Sequence, residues 1–410
     1  MMHRLFRLLS VVCSLVWFTS CNNDDEGLGV DKGGLEADHS LNQMVYTSMQ
    51  EHIYALDPAT GESRLLASLA ENNYVENVLE YHNGILYAVS ESNGLYAFEA
   101  QSGQLLWKKG LPDFNKSSIH KTHPVFYDNK IFVAGLRGIM MALDATTGNT
   151  IWQFDFKVES DYYKNMYGKP ALYGDYLLYG TLSGLEDNYL VCLNNQTGKL
   201  QWVVPLEGEG VKGQTVVVSD DIVYVPGENF EARSLEDGEL IWSFPTWKHE
   251  GTSKPVVAGD KILFNGAIED SPFYAKLYCL DKRSGELIWE VETGYNDAVD
   301  VSPNVAGNFV FGFYQEADEN SQLRGRPFAV SLETGEQIWK NENITIRALM
   351  TYANGRLIFP GFNNIDNSTG GSILCLDAAT GEIIWQNEEP YYPFARIAPI
   401  VVAQNGVFKP

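Results

Sequence analysis

Six polar residues of this chain recur at equivalent points of the sequence, each close to the start of a short apolar segment. They are His123, Lys169, Gln214, Lys254, Ser302 and Arg347. If the fold gathers these points around one concavity, their cations favour an anionic ligand, because charges of one sign in a cleft focus the field. The alternative is that they are ordinary loop residues, since Glu76 and Asp297 occupy segments of the same kind. Both interpretations stay open, and the six residues form the candidate ligand site.

The chain offers few residues for catalysis or metal binding. Its seven histidines include no His-x-x-x-His pair, and the sequence contains neither a Gly-x-Ser-x-Gly elbow nor a glycine-rich phosphate loop. Residues 318–320 and 363–367 carry oxygen ligands that calcium accepts, but their spacing matches no known calcium loop, and solvated loop tips are the alternative. We predict no catalytic residue, no metal site and no bound cofactor.

A phrase that occurs eight times predicts the elements that position these residues. One copy, residues 142–152, reads ALDATTGNTIW. The turn glycines of the copies, which number repeats 1 to 8, are Gly61, Gly103, Gly148, Gly198, Gly238, Gly285, Gly335 and Gly381. Four residues further on stand Trp107, Trp152, Trp202, Trp242, Trp289, Trp339 and Trp385, whereas the first copy has Leu65. A period of about 40 to 50 residues is typical of propeller blades.

Each residue type in the phrase suits a structural task. Glycine takes a positive φ without a Cβ clash, and the upstream Asp or Asn, such as Asp144, can accept hydrogen bonds from the turn backbone. Tryptophan offers a large apolar face and one N–H donor, which suits the space between neighbouring blades. We expect Leu65 to fill the same packing position in repeat 1.

Three cysteines share one position of the phrase. Cys192, Cys279 and Cys375 stand six residues before the turn glycine, where the other copies have alanine. A metal or redox role would need a different pattern, because alanine fills the same position elsewhere. We therefore predict small, buried and unpaired thiols that pack between blades.

Short β-branched and aromatic runs between the phrases supply further strands, so that each repeat holds four antiparallel strands. Repeat 1 lacks a strand before residues 44–47, and the C-terminus carries an additional one at 397–403, although 407–408 competes for the next position. Pairing residues 44–47 with residues 397–403 would remove an exposed sheet edge. We predict an all-β fold: an eight-bladed β-propeller of four-stranded antiparallel blades, closed by the C-terminal strand, with the six candidate residues at its channel mouth.

The N-terminus is typical of a secretory signal. Arg4 and Arg7 precede the apolar run 8–18, and small residues lead to Cys21. The segment resembles a bacterial lipoprotein signal, in which the mature chain begins at a lipidated cysteine, although Phe18 stands where an aliphatic residue is usual. We predict lipidation of Cys21.

Three segments follow from this interpretation: a lipoprotein signal peptide at 1–20, a flexible acidic tether at 21–40 and a single propeller at 41–410. The acidic run 22–26 resembles the surface-export signal of Bacteroidetes lipoproteins, and a plain solvated tether is the alternative. The formal net charge of −24 becomes −26 once the two arginines of the signal are removed. Such an acidic chain excludes nucleic acid as a partner, since phosphate binding needs a basic surface.

The phrase Ala-Leu-Asp-x-x-Thr-Gly-x-x-x-Trp resembles the tryptophan-docking repeat of pyrroloquinoline quinone (PQQ)-like propellers. One branch of that family holds quinoprotein dehydrogenases that bind PQQ and calcium, but this chain has neither an adjacent cysteine pair nor a Cys-x-x-Cys-His haem site. The other branch holds non-catalytic lipoproteins such as BamB, which this chain resembles in length, signal and repeat number. The resemblance implies a monomeric outer-membrane lipoprotein, periplasmic or surface-exposed, attached to the membrane through its lipid alone.

The resemblance to the branch of non-catalytic lipoproteins implies a function: we expect a binding or scaffold protein for another envelope protein or an extracellular ligand. A PQQ- and calcium-dependent dehydrogenase is the alternative. A cell-surface glycan-binding protein is a further alternative, because aromatic residues such as Tyr162, Trp247 and Tyr391 lie near the same connections.

Overall fold

The computed structural model describes the chain in separate ranges. They are residues 44–71, 73–75, 79–90, 94–111, 124–134, 139–156, 165–166, 169–182, 188–206, 215–246, 252–268, 271–295, 302–317, 323–346, 349–363, 372–387, 400–403 and 406–408. Predictions for Cys21, His123, Gln214 and Arg347, for the signal and tether, and for the aromatic residues named above lie outside the described residues. Among the described residues no helix is long and apolar enough to cross a membrane.

The strands of the first four repeats follow one pattern. Repeat 1 contains β1 (Met44–Met49), β2 (His52–Leu56) and β3 (Ser63–Ser68). Repeat 2 contains β4 (Glu80–His82), β5 (Ile85–Ser90), β6 (Gly94–Glu99) and β7 (Leu105–Gly110). Repeat 3 contains β8 (Val125–Tyr127), β9 (Lys130–Ala134), β10 (Ile139–Asp144) and β11 (Thr150–Asp155). Repeat 4 contains β12 (Asn165–Met166), β13 (Ala171–Tyr173), β14 (Tyr176–Leu182), β15 (Asn188–Asn194) and β16 (Leu200–Leu206).

The remaining strands repeat that pattern and add a C-terminal pair. Repeat 5 contains β17 (Val217–Ser219), β18 (Ile222–Val225), β19 (Asn229–Ser234) and β20 (Leu240–Pro245). Repeat 6 contains β21 (Val256–Ala258), β22 (Lys261–Ile268), β23 (Ser271–Asp281) and β24 (Leu287–Tyr295). Repeat 7 contains β25 (Asn304–Ala306), β26 (Phe309–Ala317), β27 (Leu323–Ser331) and β28 (Gln337–Lys340). Repeat 8 contains β29 (Ile344–Ile346), β30 (Thr351–Ala353), β31 (Arg356–Asn363), β32 (Ser372–Asp377) and β33 (Ile383–Gln386), and β34 (Ile400–Ala403) and β35 (Gly406–Phe408) follow.

Consecutive strands pair into antiparallel sheets. Repeats 2, 3 and 5 each form an isolated four-stranded sheet whose strands pair in sequence order, and the last strand carries the tryptophan. The prediction of an all-β fold built of four-stranded antiparallel sheets is therefore confirmed. We call the first strand of such a sheet the inner strand and the last one the outer strand. The inner strands of repeats 4 and 8 are β13 and β30, which pair with the following strand in the same way.

Each sheet has two unlike ends. At one end, which we call the turn end, the first two strands are joined by a two-residue turn such as 128–129, and the last two are joined by the glycine turn. At the other end, which we call the loop end, lie the connections between successive repeats. Inner strands begin at the loop end, so this end positions the candidate ligand residues.

The glycine turns have the predicted local structure. In repeat 3, Gly148 has a φ of 71°. The Asp144 carboxylate oxygen Oδ1 accepts hydrogen bonds from the backbone N–H groups of Thr146 (3.1 Å) and Thr147 (2.8 Å). The same arrangement occurs at Asp281. The roles predicted for the glycine and for the upstream acid are confirmed.

The tryptophans link each repeat to the next. The Trp202 Nε1–H of repeat 4 donates to the carbonyl oxygen of Leu235 in repeat 5 at 2.9 Å, and Trp289 donates to Leu332 of the following repeat at 2.9 Å. The same ring packs on the next turn glycine: a Cβ placed on Gly238 would lie 3.0 Å from the Trp202 ring. The predicted packing of tryptophan between neighbouring blades is confirmed, and the glycine has a second role as its docking surface.

At every junction between the described repeats, a backbone carbonyl at the same position of the repeat accepts the hydrogen bond. It belongs to the residue three positions before the turn glycine: Pro58, Ala100, Ala145, Asn195, Leu235, Lys282, Leu332 and Ala378. Six of these carbonyls accept from a tryptophan N–H, whereas Ala100 accepts from the Tyr46 hydroxyl and Lys282 from the Tyr224 hydroxyl. Trp242, which faces the Lys282 turn, has no hydrogen-bond partner for its buried N–H among the described residues.

The prediction for Leu65 is wrong. Its side chain is 56% exposed, because the strand register of repeat 1 pairs Arg64, and not Leu65, with Ala55. Arg64 donates to the carbonyl oxygen of Gln101 at 2.9 Å, and the backbone of Leu66 packs on Gly103. The β-bulge of repeat 1 lies at a different point of the strand pair from that of repeat 3, and it therefore changes which residue faces the next repeat.

Repeat 1 shares its sheet with the C-terminal strands. The strand order is β3-β2-β1-β34-β35, and Val45 of β1 pairs with Val401 of β34. The competing segment, β35, pairs with the opposite edge of β34, so the sheet has five strands. Trp385 of repeat 8 donates to the carbonyl oxygen of Pro58 in repeat 1 at 2.9 Å.

Repeats 6 to 8 differ from the others because their sheets join at the loop end. Gly294 of β24 pairs in parallel with Gln315 of β26, and β29 pairs with both β27 and β31. A Cβ on Gly294 would lie 1.8 Å from the Gln315 carbonyl oxygen, so only glycine permits this approach. The result is one continuous sheet of 13 strands.

The hydrophobic core lies between the sheets. The larger buried clusters each combine side chains of two neighbouring repeats; between repeats 5 and 6, for example, Phe230 stacks on Phe264 with ring centroids 4.0 Å apart. Cys192, Cys279 and Cys375 belong to three such clusters and are free thiols. Their predicted packing role is confirmed.

Candidate functional site

Three of the six candidate ligand residues are described, and all three precede a proline at the start of an inner strand. They are Lys169, Lys254 and Ser302, and each side chain is half-buried. His123, Gln214 and Arg347 lie outside the described residues. The proposed ring of six therefore stays a prediction.

Lys169 lies near a buried carboxylate. Its Nζ is 3.8 Å from Oε1 of Glu80, whose side chain is 3% exposed. Glu80 begins the inner strand of repeat 2, whereas Lys169 precedes the inner strand of repeat 4. Because the pair spans repeat 3, both side chains must reach toward the space that the inner strands border. The charge of Lys169 is thus partly compensated within the protein, and an anionic ligand would have to compete with Glu80.

Backbone contacts hold the starts of the inner strands in place. The Lys169 N–H donates to Oγ1 of Thr215 in the next repeat at 3.3 Å. Beside Lys254, the Ser253 hydroxyl oxygen accepts from the Asn265 N–H at 2.9 Å, and Ser253 is fully buried. In repeat 7, the Asn304 side-chain amide donates to the carbonyl oxygen of Met350 at 3.1 Å. These contacts give the loop end a fixed frame on which the side chains stand.

Glu80 is a residue that the sequence reasoning missed. Its signal was available, because Val125, Val217 and Val256 begin the inner strands of repeats 3, 5 and 6, and Asn304 begins that of repeat 7, where repeat 2 has an acid. A charged residue at a position that is uncharged in the other described repeats is a reason to look for a buried partner.

Side chains that commonly bind metals do not cluster in the part of the chain that the structure describes. Among the described residues, no group of three or more His, Cys, Asp or Glu side chains comes together, and calcium needs six to eight oxygen ligands.

The three buried cysteine thiols are unreactive near neutral pH. Burial raises the pKa of Cys192, Cys279 and Cys375 to about 12. A thiol is a nucleophile only as its thiolate, so these three remain neutral and unreactive near pH 7.

An aromatic surface that the sequence reasoning also missed lies on the long hairpin of repeat 6. Tyr274 of β23 and Tyr295 of β24 are cross-strand partners, and their rings stack with centroids 5.2 Å apart at 23°. Tyr274 is 45% exposed. Strands β23 and β24 are 11 and 9 residues long, whereas the corresponding strands of repeat 2 have 6 each. We call this pair the tyrosine platform.

Antiparallel sheets linked by tryptophan docking define a class, the PQQ-like β-propellers. A family model described as outer membrane protein assembly factor BamB matches residues 49–186, 186–342 and 324–392. These matches span most of the chain, so the chain belongs to the BamB-like family of PQQ-like propellers.

Individual proteins show the same two branches. BamB of Yersinia pestis is 24% identical over 283 residues, which are 65% of this chain and 66% of that protein. The quinoprotein alcohol dehydrogenase PedH of Pseudomonas putida is 30% identical over 166 residues, which are 36% of this chain and 26% of that protein. This chain thus spans just under two thirds of the first relative and about a quarter of the second.

The fold has counterparts among solved structures. The quinohemoprotein alcohol dehydrogenase of Comamonas testosteroni superimposes with a TM-score of 0.60 at 13% identity, over 76% of this chain and 67% of that chain. At this identity the likeness establishes the propeller fold alone.

Proposed function

We propose that this chain is a lipid-anchored envelope protein that acts as a BamB-like binding and scaffold module. The observation that carries the proposal is the match to the BamB family across almost all of the repeats. The tryptophan links supply a rigid frame, while the connections of the loop end differ from repeat to repeat. Such a frame with variable loops suits recognition of a partner, because binding residues concentrate on loops that a scaffold positions.

The frame that we propose is an eight-bladed ring, closed by the C-terminal strand. Two contacts between the ends of the chain support closure. Trp385 donates to Pro58, and Val45 pairs with Val401. Closure leaves no sheet face of repeats 1 and 8 without a neighbour, which favours a monomer.

Affinity purification of the full-length protein from its own envelope tests the scaffold role. We expect outer-membrane assembly proteins to co-purify with the wild type. Cys21→Ala should remove the lipid, which mass spectrometry of the N-terminal peptide would report, and should release the chain from the membrane fraction. Envelope extracts in which no assembly protein co-purifies would contradict the scaffold role, whereas an unmodified Cys21 would contradict only the anchor.

A quinone-dependent dehydrogenase is the second candidate function, and the similarity to PedH favours it. The test is to add PQQ and calcium to the purified protein and to record the quinone absorption spectrum and dye reduction with a primary alcohol. Bound quinone together with dye reduction would replace the scaffold proposal. Absence of both would remove the dehydrogenase.

The channel mouth is a third point to test, as an anion site formed by His123, Lys169, Gln214, Lys254, Ser302 and Arg347. Inorganic phosphate titrated into the protein is the probe. We expect Lys254→Met to weaken phosphate binding at least five-fold, with Lys199→Met, a substitution at an exposed turn, as the control. Equal binding by both variants would show that the six residues are ordinary loop residues.

A further inference from the structure

The tyrosine platform lies on a part of the hairpin that extends beyond the strand length of repeats 2 and 3. Strands β23 and β24 have 11 and 9 residues, whereas the corresponding strands of repeats 2 and 3 have six each. That length ends in a ring, Tyr274, that is nearly half exposed. Tyrosines exposed in this way are common at binding surfaces, where a rigid ring offers a large contact area.

Charged residues flank the platform on the same face of the hairpin. Side chains alternate along β23, so Tyr274 and Lys276 share a face, and Glu292 is the cross-strand partner of Lys276. Lys276 forms an ion pair with Glu290. Both Glu290 and Glu292 are exposed, so this face has two carboxylates and one ammonium group.

Elsewhere in the molecule, lysine side chains cover tyrosine rings. In repeat 7, Nζ of Lys340 lies over the Tyr314 ring, 4.4 Å from its centroid, and in repeat 2, Nζ of Lys108 lies 4.7 Å from the centroid of Tyr96. Among the described residues no cation lies over Tyr274. A cation placed there would gain the attraction of the ring face, which increases when water is excluded.

Charge selects the occupant. The acidic chain repels anions, and the exposed Glu292 carboxylate, which is diagonal to Tyr274 across the hairpin, favours a cation. A guanidinium group can stack on a tyrosine ring and donate two hydrogen bonds to a carboxylate at once, which an ammonium group cannot do. The neighbouring Tyr295 raises the pKa of Tyr274, so the ring remains a neutral phenol at physiological pH.

We propose that the extended hairpin β23–β24 binds an arginine-bearing segment of a partner protein, with a guanidinium over Tyr274 and its counter-charge on Glu292. This proposal rests on the binding role proposed above and adds to it the chemistry of the partner. Stacked Tyr295 holds the Tyr274 ring in place before the partner arrives, so little rotational entropy is lost on binding.

The test uses the full chain and a labelled peptide of five Arg-Gly pairs, titrated by fluorescence anisotropy at two salt concentrations. Tyr274→Ala and Glu292→Gln should each weaken binding about five-fold, as expected for a cation–π contact and an exposed charge pair. Tyr74→Ala is the matched control, because Tyr74 is an exposed tyrosine outside the hairpin, and its binding should stay within two-fold of the wild type. A peptide with citrulline for arginine should bind at least ten-fold more weakly.

Two results would overturn the proposal: equal affinity of wild type and Tyr274→Ala for the arginine peptide, or binding of a neutral oligosaccharide that depends on Tyr274. Co-purification from the envelope separates this proposal from the scaffold role. If assembly proteins co-purify equally with wild type and Tyr274→Ala, the platform is not their binding site, while the scaffold role stands.

Discussion

The turn end and the loop end of the sheets are built in opposite ways. At the turn end, two-residue turns and glycine turns recur from repeat to repeat, and each glycine turn is linked to the previous repeat through the same carbonyl position. At the loop end, the connection covers residues 296–303 between repeats 6 and 7 but residues 111–124 between repeats 2 and 3. The comparison teaches that stability is concentrated at one end and that the room for specific recognition lies at the other.

The largest effect should come from filling a docking surface at the turn end. Gly198→Val places a β-branched residue at a φ of 69°, and its Cβ would lie 2.6 Å from the Trp152 ring. We expect a loss of about 3 kcal/mol or more in the free energy of unfolding, from backbone strain and overpacking together. Chemical denaturation measures it. Gly110→Val near the loop end is the control, because no atom lies within 4 Å of its Cβ position, and similar losses would refute the contrast.

A smaller effect is expected from the buried pair at the loop end. Lys169→Met removes the cation beside the Glu80 carboxylate, which is 3% exposed. The loss should be about 2 kcal/mol, because the buried Glu80 carboxylate loses a nearby positive charge that offsets its desolvation cost. Thermal melts of this variant and of the exposed-turn variant Lys199→Met provide the measurement. An unchanged melting temperature for Lys169→Met would show that this ion pair at the loop end does not contribute to the stability of the fold.

The tryptophan links should differ by about 1 kcal/mol in what each contributes to the free energy of unfolding. Trp202→Phe deletes an N–H that donates to Leu235 at 2.9 Å, whereas Trp242→Phe deletes an N–H that has no partner among the described residues. We expect the first substitution to cost about 1 kcal/mol more than the second, the value of one hydrogen bond. Denaturation of both variants checks this, and equal costs would mean that the ring face, and not the N–H, holds the junction.

The smallest effect concerns the thiols in the sheet centres, between the two ends. Burial raises the pKa of Cys192, Cys279 and Cys375 to about 12. The unfolded chain ionises these thiols first as the pH rises, so their contribution is complete below the ordinary thiol pKa and is lost between about pH 9 and pH 12. The loss near pH 9 should be a few tenths of a kcal/mol per thiol. A triple Cys→Ala variant should show a weaker fall in melting temperature between pH 8 and pH 10, and an identical fall would exclude the thiols as the cause.

The repeating parts of the fold could be predicted from sequence because each depends on local chemistry. A glycine at positive φ, an acid that accepts hydrogen bonds from a turn and a tryptophan four residues later, as in Asp144, Gly148 and Trp152, act within one hairpin or on the adjacent repeat. The spacing of these residues therefore contains most of the information that the propeller needs.

Departures from the repeat could not be predicted. The exposure of Leu65 depends on the position of a β-bulge, which shifts strand register without changing composition. The joining of repeats 6 to 8 depends on the close approach of Gly294 to Gln315, residues of different repeats. At the candidate site, register predicts that Lys169 stands at the start of an inner strand, but its contact with Glu80 spans a whole repeat.

The link from Trp385 to Pro58 joins residues 327 positions apart, and the pairing of β1 with β34, such as that of Val45 with Val401, is more distant still. Such contacts form late, because a long loop must close before they gain anything. While the chain is being made, β1 leaves the ribosome with an unpaired edge and waits for the last strand. We expect repeat 1 to be the slowest part of the molecule to fold, and the part that a folding helper would have to protect.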